Sequence, residues 1–277
     1  MPRTLRVTTR NATFQQWQAL LTNRTKRQRT GEFLVQGVRP VSLAVEHGWD
    51  VTALLYADDR PLSEWARRTL AEVPGATPVA MAPDLLHELG GKSDEAPELL
   101  AVVRLRADDL TRVPAGPDLW AVVFDRPATP GNIGTLVRSA DAFGAAGLVV
   151  TGHAADPYDP KAVRASTGSL LALPVVRVPS QHAVLDWVAG LRADGLPVRI
   201  VGTDENGGTD VAGDDLTGPT VLVIGNETRG LSSAWRDACD RMVRIPMTGA
   251  ASSLNAASAG TVVLYEAARQ RRTAGPH

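Results

Sequence analysis

IPMTGAASSLNAASAGTVVLYEAARQRR, Ile245 to Arg272, is a strand end, a loop of small residues and a helix in direct succession. The run Met242-Val243-Arg244-Ile245 is of strand type and stops at Pro246. Thr248 to Asn255 are nearly all small or polar. Leu254, Ala257, Thr261, Leu264, Tyr265 and Ala268 then recur at spacings of three and four, which predicts a helix with one apolar face. Ser252 or Ser253 is a natural cap for it, because a hydroxyl there can accept from the exposed amides of the first turn. Small residues at such a junction let the backbone approach a ligand or another chain closely. Alone, the stretch is an ordinary glycine-containing loop; its meaning depends on two loops upstream.

Those loops belong to a regular alternation. Strand-like runs at Leu119–Phe124, Leu148–Val150, Val175–Val178, Val198–Gly202 and Thr220–Ile224 alternate with helical patterns at Ile133–Phe143, Pro160–Leu171 and Ala183–Ala193. A polar loop is expected over Thr203–Asp215, and a short helix after Leu231. The strands are apolar with little alternation, as expected of a mostly parallel sheet covered by helices on both faces. Ligands of such sheets sit beyond the C-terminal strand ends. That reasoning brings together Asp125–Asn132, Gly225–Gly230 and Met247–Asn255. Asn132 is placed to cap the first helix, and Arg138 falls on its second turn, where Asp141 at i+3 is an ordinary partner. For Glu227 the ordinary reading is a turn acid paired with Arg229.

Upstream, a cap at Asn11 with Phe14, Trp17, Leu20 and Leu21 on one face predicts a short helix. Strands are expected at Glu32–Gln36, Val51–Tyr56, Thr77–Met81 and Leu99–Leu105, with helices at Pro40–Glu46, Ser63–Glu72 and Asp84–Leu89. This describes a small α/β domain over residues 1–106. Ala107 to Pro117, carrying Asp108, Asp109, Pro114, Gly116 and Pro117, is expected as a linker, and 118–277 as the second domain.

A single cysteine, Cys239, excludes an intramolecular disulfide and suits a reducing cytosol. The five histidines show no metal-site spacing, so no metal is expected. No run is apolar enough to cross a bilayer and none resembles a signal peptide, so the expected location is cytoplasmic. The net charge of −1 looks wrong for a nucleic-acid partner, but the charge is segregated. Arg3, Arg6, Arg10, Arg24, Lys26, Arg27, Arg29 and Arg39 face one acid, Glu32, before Pro40, whereas acids dominate from Asp58 to Asp118. A basic arm is the footprint of a phosphate-rich partner. Pro2 to Thr9 reads as a solvated tail, and the loop Asn23–Arg29 as a nucleic-acid contact.

Three stretches now stand in order, each at a strand end: Asn132-x-Gly134-x-x-x-Arg138-x-Ala140, then Ile224-Gly225-Asn226-Glu227 with Gly230-Leu231-Ser232, then Ile245-Pro246-Met247 with Ser253-Leu254-Asn255. Together they resemble the three motifs of the SpoU/TrmH branch of the SPOUT RNA methyltransferases, and they span the second domain. The first domain, opening on Glu32-Phe33-Leu34-Val35 and Gly37, is similar to the ribosomal-L30-like substrate domain that often precedes it. Arg10 to Trp49 is most similar to members that ribose-methylate 23S ribosomal RNA and confer resistance to orthosomycin antibiotics.

The resemblance implies a deep trefoil knot, which unaided reasoning would reject because knots are rare. It also implies a homodimer with the active site at or near the subunit interface; Ala256 and Gly260, four apart, suit close helix contact, which internal packing explains equally well. It places S-adenosylmethionine against Thr203, Gly225, Asn226, Ile245, Met247, Ser253, Leu254 and Asn255. No Gly-x-Gly-x-x-Gly follows a strand, which argues against a Rossmann-type cofactor site. The acceptor implied is a ribose 2′-hydroxyl, which must lose its proton near the transfer step. Arg138 matches the family's catalytic arginine; arginine, with a pKa of roughly 12 or more, is a poor base and is better suited to grip a phosphate and stabilise an alkoxide. Asn132, Glu227, Ser253 and Asn255 match positions that orient Arg138, the ribose or the methionine moiety. Arg164 matches a phosphate-contacting arginine, and His153 and Tyr158 sit where RNA contact is conceivable. Two other readings stay open here: a transfer-RNA methyltransferase, and a non-catalytic RNA-binding or ribosome-assembly protein. The intact set of motif residues speaks against the second, and the large first domain against transfer RNA.

Overall fold

A computed structural model describes residues 4–91 and 97–274. The first elements are β1 (Leu5–Val7), α1 (Ala12–Thr22), α2 (Arg24–Thr30), β2 (Glu32–Gln36), α3 (Val38–Glu46), β3 (Val51–Ala57), α4 (Glu64–Glu72), β4 (Thr77–Met81), α5 (Pro83–Gly90) and β5 (Leu99–Arg104). The strands form a mixed sheet in the order β1-β4-β3-β5-β2, parallel from β1 to β3 and antiparallel around β5. β5 is buried from Leu99 to Val103, which its apolar run requires. One face of the sheet is packed by Phe14, Trp17 and Leu20 of α1 and by Leu85, Leu86 and Leu89 of α5.

Two local expectations change here. Residues 5–7 form β1, paired in register with Val79–Met81, rather than a solvated tail; Val7 is 1% exposed and carries that pairing. Pro2 and Arg3 lie outside the described residues. The basic stretch is not a loop but α2: the Asn23 side chain accepts from Lys26 N–H at 2.9 Å and Gly31, at φ 67, ends the helix.

The chain continues through β6 (Trp120–Asp125), α6 (Pro130–Ala142), β7 (Gly147–Thr151), α7 (Pro160–Ala165), α8 (Ser169–Ala172), β8 (Val175–Val178) and α9 (Gln181–Ala193). After these come β9 (Arg199–Thr203), β10 (Thr209–Asp210), β11 (Thr220–Ile224), α10 (Ser233–Ala238), β12 (Arg241–Arg244) and α11 (Ala256–Ala274). β6 to β12 make one wholly parallel sheet in the order β10-β12-β9-β11-β6-β7-β8. Every residue of β6, β7 and β11 is buried, which explains runs without alternation. α11 packs on α6: a Cβ at Gly260 would overlap Leu136 and press on Ile224, and Ser139 and Thr261 share a hydrogen bond of 2.7 Å. Internal packing therefore accounts for Gly260. Arg271 fastens the end of α11 by donating to the carbonyls of Leu216, Asp118 and Leu119, with its guanidinium 5.1 Å from the Trp120 ring centre.

The chain divides into two compact units that do not follow the linear order. The first runs up to Arg106 and also takes in Tyr158–Ala172; the second comprises Ala107–Pro157 and the chain from Leu173 on. The segment expected as one helix, Pro160 to Leu171, is broken into α7 and α8 at Thr167 (φ 49) and Gly168 (φ 103), and both pieces belong to the first unit. Tyr158 is 2% exposed and its ring lies 4.9 Å from Phe33, so it is core rather than an RNA contact. The Trp49 indole N–H donates to the Leu171 carbonyl at 2.7 Å. Residues 107–117 lie in the second unit and are laced to it: Asp108 accepts from the Arg177 backbone and guanidinium, both at 2.9 Å, and Val113 is buried. No helix among the described residues is long and apolar enough to cross a membrane.

Candidate functional site

The site lies in the second unit, beyond the C-terminal ends of β6, β9, β11 and β12. The β6–α6 connection begins with Asp125, which is 3% exposed. Its carboxylate accepts from the Thr151 hydroxyl at 3.1 Å, the Ser232 N–H at 3.3 Å and the Arg126 guanidinium at 3.0 Å. Arg126 is one of two non-glycine residues at positive φ among the described residues, at φ 50. That conformation costs energy in an ordinary residue, and such strain persists only where the surroundings over-determine it. Here they do: the Arg126 carbonyl accepts from Asn226 Nδ2 at 2.7 Å, and its guanidinium donates to the Gly230 carbonyl at 3.4 Å. Sequence reasoning missed Asp125 and Arg126; the only hint was an acid ending an apolar strand.

The β11–α10 connection folds back on itself. Asn226 and Gly230 exchange backbone hydrogen bonds of 3.0 Å, and the Asn226 side-chain oxygen accepts from Thr228 and Arg229 N–H. A Cβ on Gly225 would overlap the Gly230 and Leu231 backbone, so glycine is required there. The hairpin aims Glu227 across at α6. Its carboxylate accepts from Ala128 N–H at 2.9 Å, Thr129 N–H at 3.2 Å and Asn132 Nδ2 at 3.0 Å. Burial opposes its ionisation, but the hydrogen bonds from Ala128, Asn132 and Thr129 outweigh that cost and hold the carboxyl below its ordinary value. No ion pair joins it to Arg229 among the described residues; its partners sit at the start of α6, where a negative charge is favoured.

Asn132 consequently does not cap α6. Thr129 holds the cap position without a side-chain bond, Pro130 starts the helix, and Asn132 lies inside the first turn. Its side chain bridges instead: Nδ2 goes to Glu227, and Oδ1 accepts from Asn255 Nδ2 at 3.2 Å. The cap of α11 is likewise not Ser252 or Ser253. Asn255 takes that place, its side-chain oxygen accepting from Ala257 N–H at 3.0 Å and Ser258 N–H at 3.3 Å. At α6 a tertiary partner, Glu227, decides where the Asn132 amide faces; at α11 the cap is local and falls on Asn255, two residues past Ser253.

A cleft of about 320 Å³ opens among these loops, a size within the usual range for small-ligand sites. Of the residues expected there, Thr203, Gly225, Asn226, Ile245, Met247, Ser253 and Leu254 line it, as does Glu227. Asn255, Asn132 and Arg138 do not. The lining also holds two acids that sequence reasoning passed over, Asp204 and Glu205, with Asp204 paired to Arg236 at 2.6 Å. Arg138 is exposed on α6, and neither a hydrogen bond nor an ion pair joins it to Asp141 among the described residues.

In the first unit, Arg24, Arg29 and Arg164 are exposed and Lys26 is half-buried. Arg27 is not a surface cation. It is 2% exposed, donates to the Leu20 carbonyl at 2.7 Å and pairs with Asp159 at 3.5 Å. Its spacing within a basic run could not reveal that it faces inward. No group of three or more His, Cys, Asp or Glu among the described residues is placed to hold a metal ion.

Residues 11–101 match the SpoU L30e-like domain, and residues 120–265 match the SpoU rRNA Methylase family. The chain is 63% identical over 270 residues to the 23S rRNA (uridine(2479)-2′-O)-methyltransferase of Streptomyces viridochromogenes, covering 98% of this chain and 94% of that protein. The crystal structure of the SpoU methyltransferase AviRb from Streptomyces viridochromogenes, in complex with AdoMet, superposes with a TM-score of 0.91 at 62% identity, covering 95% of this chain and 99% of that one. An AdoMet-bound rRNA methyltransferase from Sinorhizobium meliloti superposes with a TM-score of 0.85 at 28% identity, covering 96% and 98%.

Proposed function

The chain belongs to the SpoU rRNA methylase family, an RNA methyltransferase, and from there we propose that it transfers a methyl group from S-adenosylmethionine to a ribose 2′-hydroxyl of 23S ribosomal RNA. The observation that carries this reading is the bridge from Glu227 through Asn132 to Asn255, which ties all three motif loops together at the edge of the cleft.

The cleft fits the cofactor. Its apolar side, Ile245, Met247 and Leu254, suits a flat adenine, and its polar side, with Glu205 and Arg229, offers groups of both signs to a ligand that carries a cationic sulfur and a carboxylate. When bound, the cofactor supplies a methyl group on a positively charged sulfur. Thr203, Gly225, Asn226 and Ser253 would hold it, together with the apolar residues. Glu227 keeps the start of α6 and Asn132 in place, and Asn255 holds the third loop against Asn132. Arg138 is two helical turns beyond the start of α6, exposed and unpaired among the described residues. It would bind the phosphate beside the target ribose and stabilise the oxyanion as the proton leaves, which a planar guanidinium does better than an ammonium.

Further parts of the reading concern assembly. β12 sits between β9 and β10, so the β9–β10–β11 connection passes around it; this supports a threaded, knotted C-terminal segment. Met247, Leu254, Val262 and Tyr265 are large apolar side chains left exposed on the third loop and α11, which supports a homodimer formed through the second unit. Arg24, Lys26, Arg29 and Arg164 would contact RNA phosphates, the protein would act in the cytoplasm, and the methyl mark would confer resistance to an avilamycin-type antibiotic.

The test is to map 2′-O-methylation across 23S and transfer RNA from cells lacking a relative, with and without this protein. One new ribose methyl in 23S RNA is expected. A new methyl confined to transfer RNA would overturn the assignment.

A further inference from the structure

A second concavity, of about 760 Å³, lies wholly in the first unit and plays no part in the cofactor site. It is lined by Val38, Arg39, Arg60, Trp65, Arg164 and Thr167, among others. Its chemistry is uneven in an informative way. Arg39 and Arg164 are exposed and make no hydrogen bond or ion pair among the described residues. Arg60, also in the lining, donates to the Pro97 carbonyl at 3.4 Å. One acid in the lining, Glu98, is already engaged, accepting from the Ser63 N–H at 2.6 Å and the Ser63 hydroxyl at 2.9 Å at the start of α4.

Between these cations lie apolar surfaces. Trp65 is half-buried, and its indole N–H donates to the Ser42 hydroxyl at 3.0 Å, which holds the ring in one orientation. Val38 is 57% exposed, the largest exposure of any large apolar side chain among the described residues. α3 begins beside it at Gly37 with no side-chain cap, so the helix opens towards the groove with its positive end. Thr167, another lining residue, is held at φ 49 between α7 and α8. The guanidinium groups of Arg39 and Arg164 beside an oriented aromatic ring make a site for a planar, anionic ligand. Base stacking on such a ring, with arginines taking the phosphates, is how single-stranded RNA is held.

We propose that this groove binds a single-stranded RNA segment, with phosphates at Arg39 and Arg164 and a base against Trp65 and Val38. The proposal rests on the RNA-methylating reading and gives the first unit a specific role, that of gripping substrate RNA through a strand rather than through a paired helix.

The experiment uses the full chain and two probes, a 23S rRNA transcript and a uridine dodecamer, titrated at several salt concentrations. Arg39→Ala with Arg164→Ala should weaken both probes about 10- to 100-fold and flatten the salt slope by about 0.7 per lost contact, the value for single strands. Trp65→Leu should weaken both by about 5-fold or more and leave the slope alone. Cofactor affinity and melting temperature should stay at wild-type values. If alanine lowers melting, Arg39→Lys with Arg164→Lys, which keeps both charges, should preserve the slope. Unchanged RNA affinity and slope in well-folded variants would overturn the proposal. So would uridine monophosphate binding as tightly as the dodecamer, or a defect seen on large ribosomal subunits and absent on naked RNA, which would indicate a protein contact. Absence of any 23S methylation by the wild-type protein would instead defeat the functional assignment while leaving the binding result readable.

Discussion

Asn255 donates its side-chain N–H to Oδ1 of Asn132 at 3.2 Å, across 123 positions of sequence. Each of these two amides also serves elsewhere, Asn255 by capping α11 and Asn132 by donating to Glu227. Asn255→Ala should therefore cost about 1 kcal/mol through the lost cap as well as breaking the bridge. Asn255→Ser keeps a capping oxygen but is too short to reach Asn132. Its melting temperature should stay near wild type while turnover falls. Serine restoring turnover as well would show that the bridge is dispensable.

Glu227 gives the pH dependence. Its folded pKa lies below the ordinary value of 4.5, so its stabilising contribution is complete above that value and is lost as pH falls through the folded pKa. Wild type should lose melting temperature as the pH drops below 4.5, and Glu227→Gln should start lower and lose less over that range. Calorimetry on both proteins, from neutral pH down into the carboxylate range, checks this; parallel curves would contradict it.

Arg138→Ala should collapse single-turnover methylation by about 10²- to 10³-fold with cofactor affinity and melting nearly intact. Lysine should rescue only in part, because it keeps the charge and loses the bidentate fork. The exposed, unpaired position of Arg138 among the described residues predicts no stability cost. A joint fall in melting and cofactor affinity would mark a structural role instead.

Arg126 is expected to act by positioning the Gly225–Gly230 hairpin. Arg126→Gly relieves the positive φ but removes the contacts to Asp125 and the Gly230 carbonyl. Cofactor affinity should fall several-fold, and Arg126→Lys should recover part of it. Wild-type affinity in the glycine variant would exclude the role.

The first unit should not be stable as residues 1–106 alone. That fragment lacks Tyr158, which packs on Phe33, and Leu171, whose carbonyl satisfies the Trp49 indole. Without that segment Phe33 and Trp49 lose apolar cover, which forfeits about 25 cal/mol for each Å² of apolar surface opened to water. Hydrogen exchange on the fragment should show weak protection in β2; native-like protection would mean that 158–172 is dispensable.

By itself the sequence determined the parallel strands, the helices between them and the three loops at their ends, because apolar runs and spacings of three and four are local properties. It also put Asn132, Glu227, Ser253 and Asn255 at or beside strand ends, and the structure joins three of them by hydrogen bonds; the roles given to these residues and to Arg138 rest on the family resemblance. Tertiary structure alone decided that α7 and α8 complete the first unit, that Leu5–Val7 pairs with β4, and that Arg27 turns inward to the Leu20 carbonyl. It also decided that Asn132 bridges where a cap was expected, and that Asn255 caps α11 in place of a serine. The Asn255 cap is a local choice, made with Ala257 and Ser258; in the other cases the outcome depends on which partner or apolar surface arrives from elsewhere in the chain. A polar side chain takes whichever partner removes it from water at least cost, and spacing along the chain does not specify that partner.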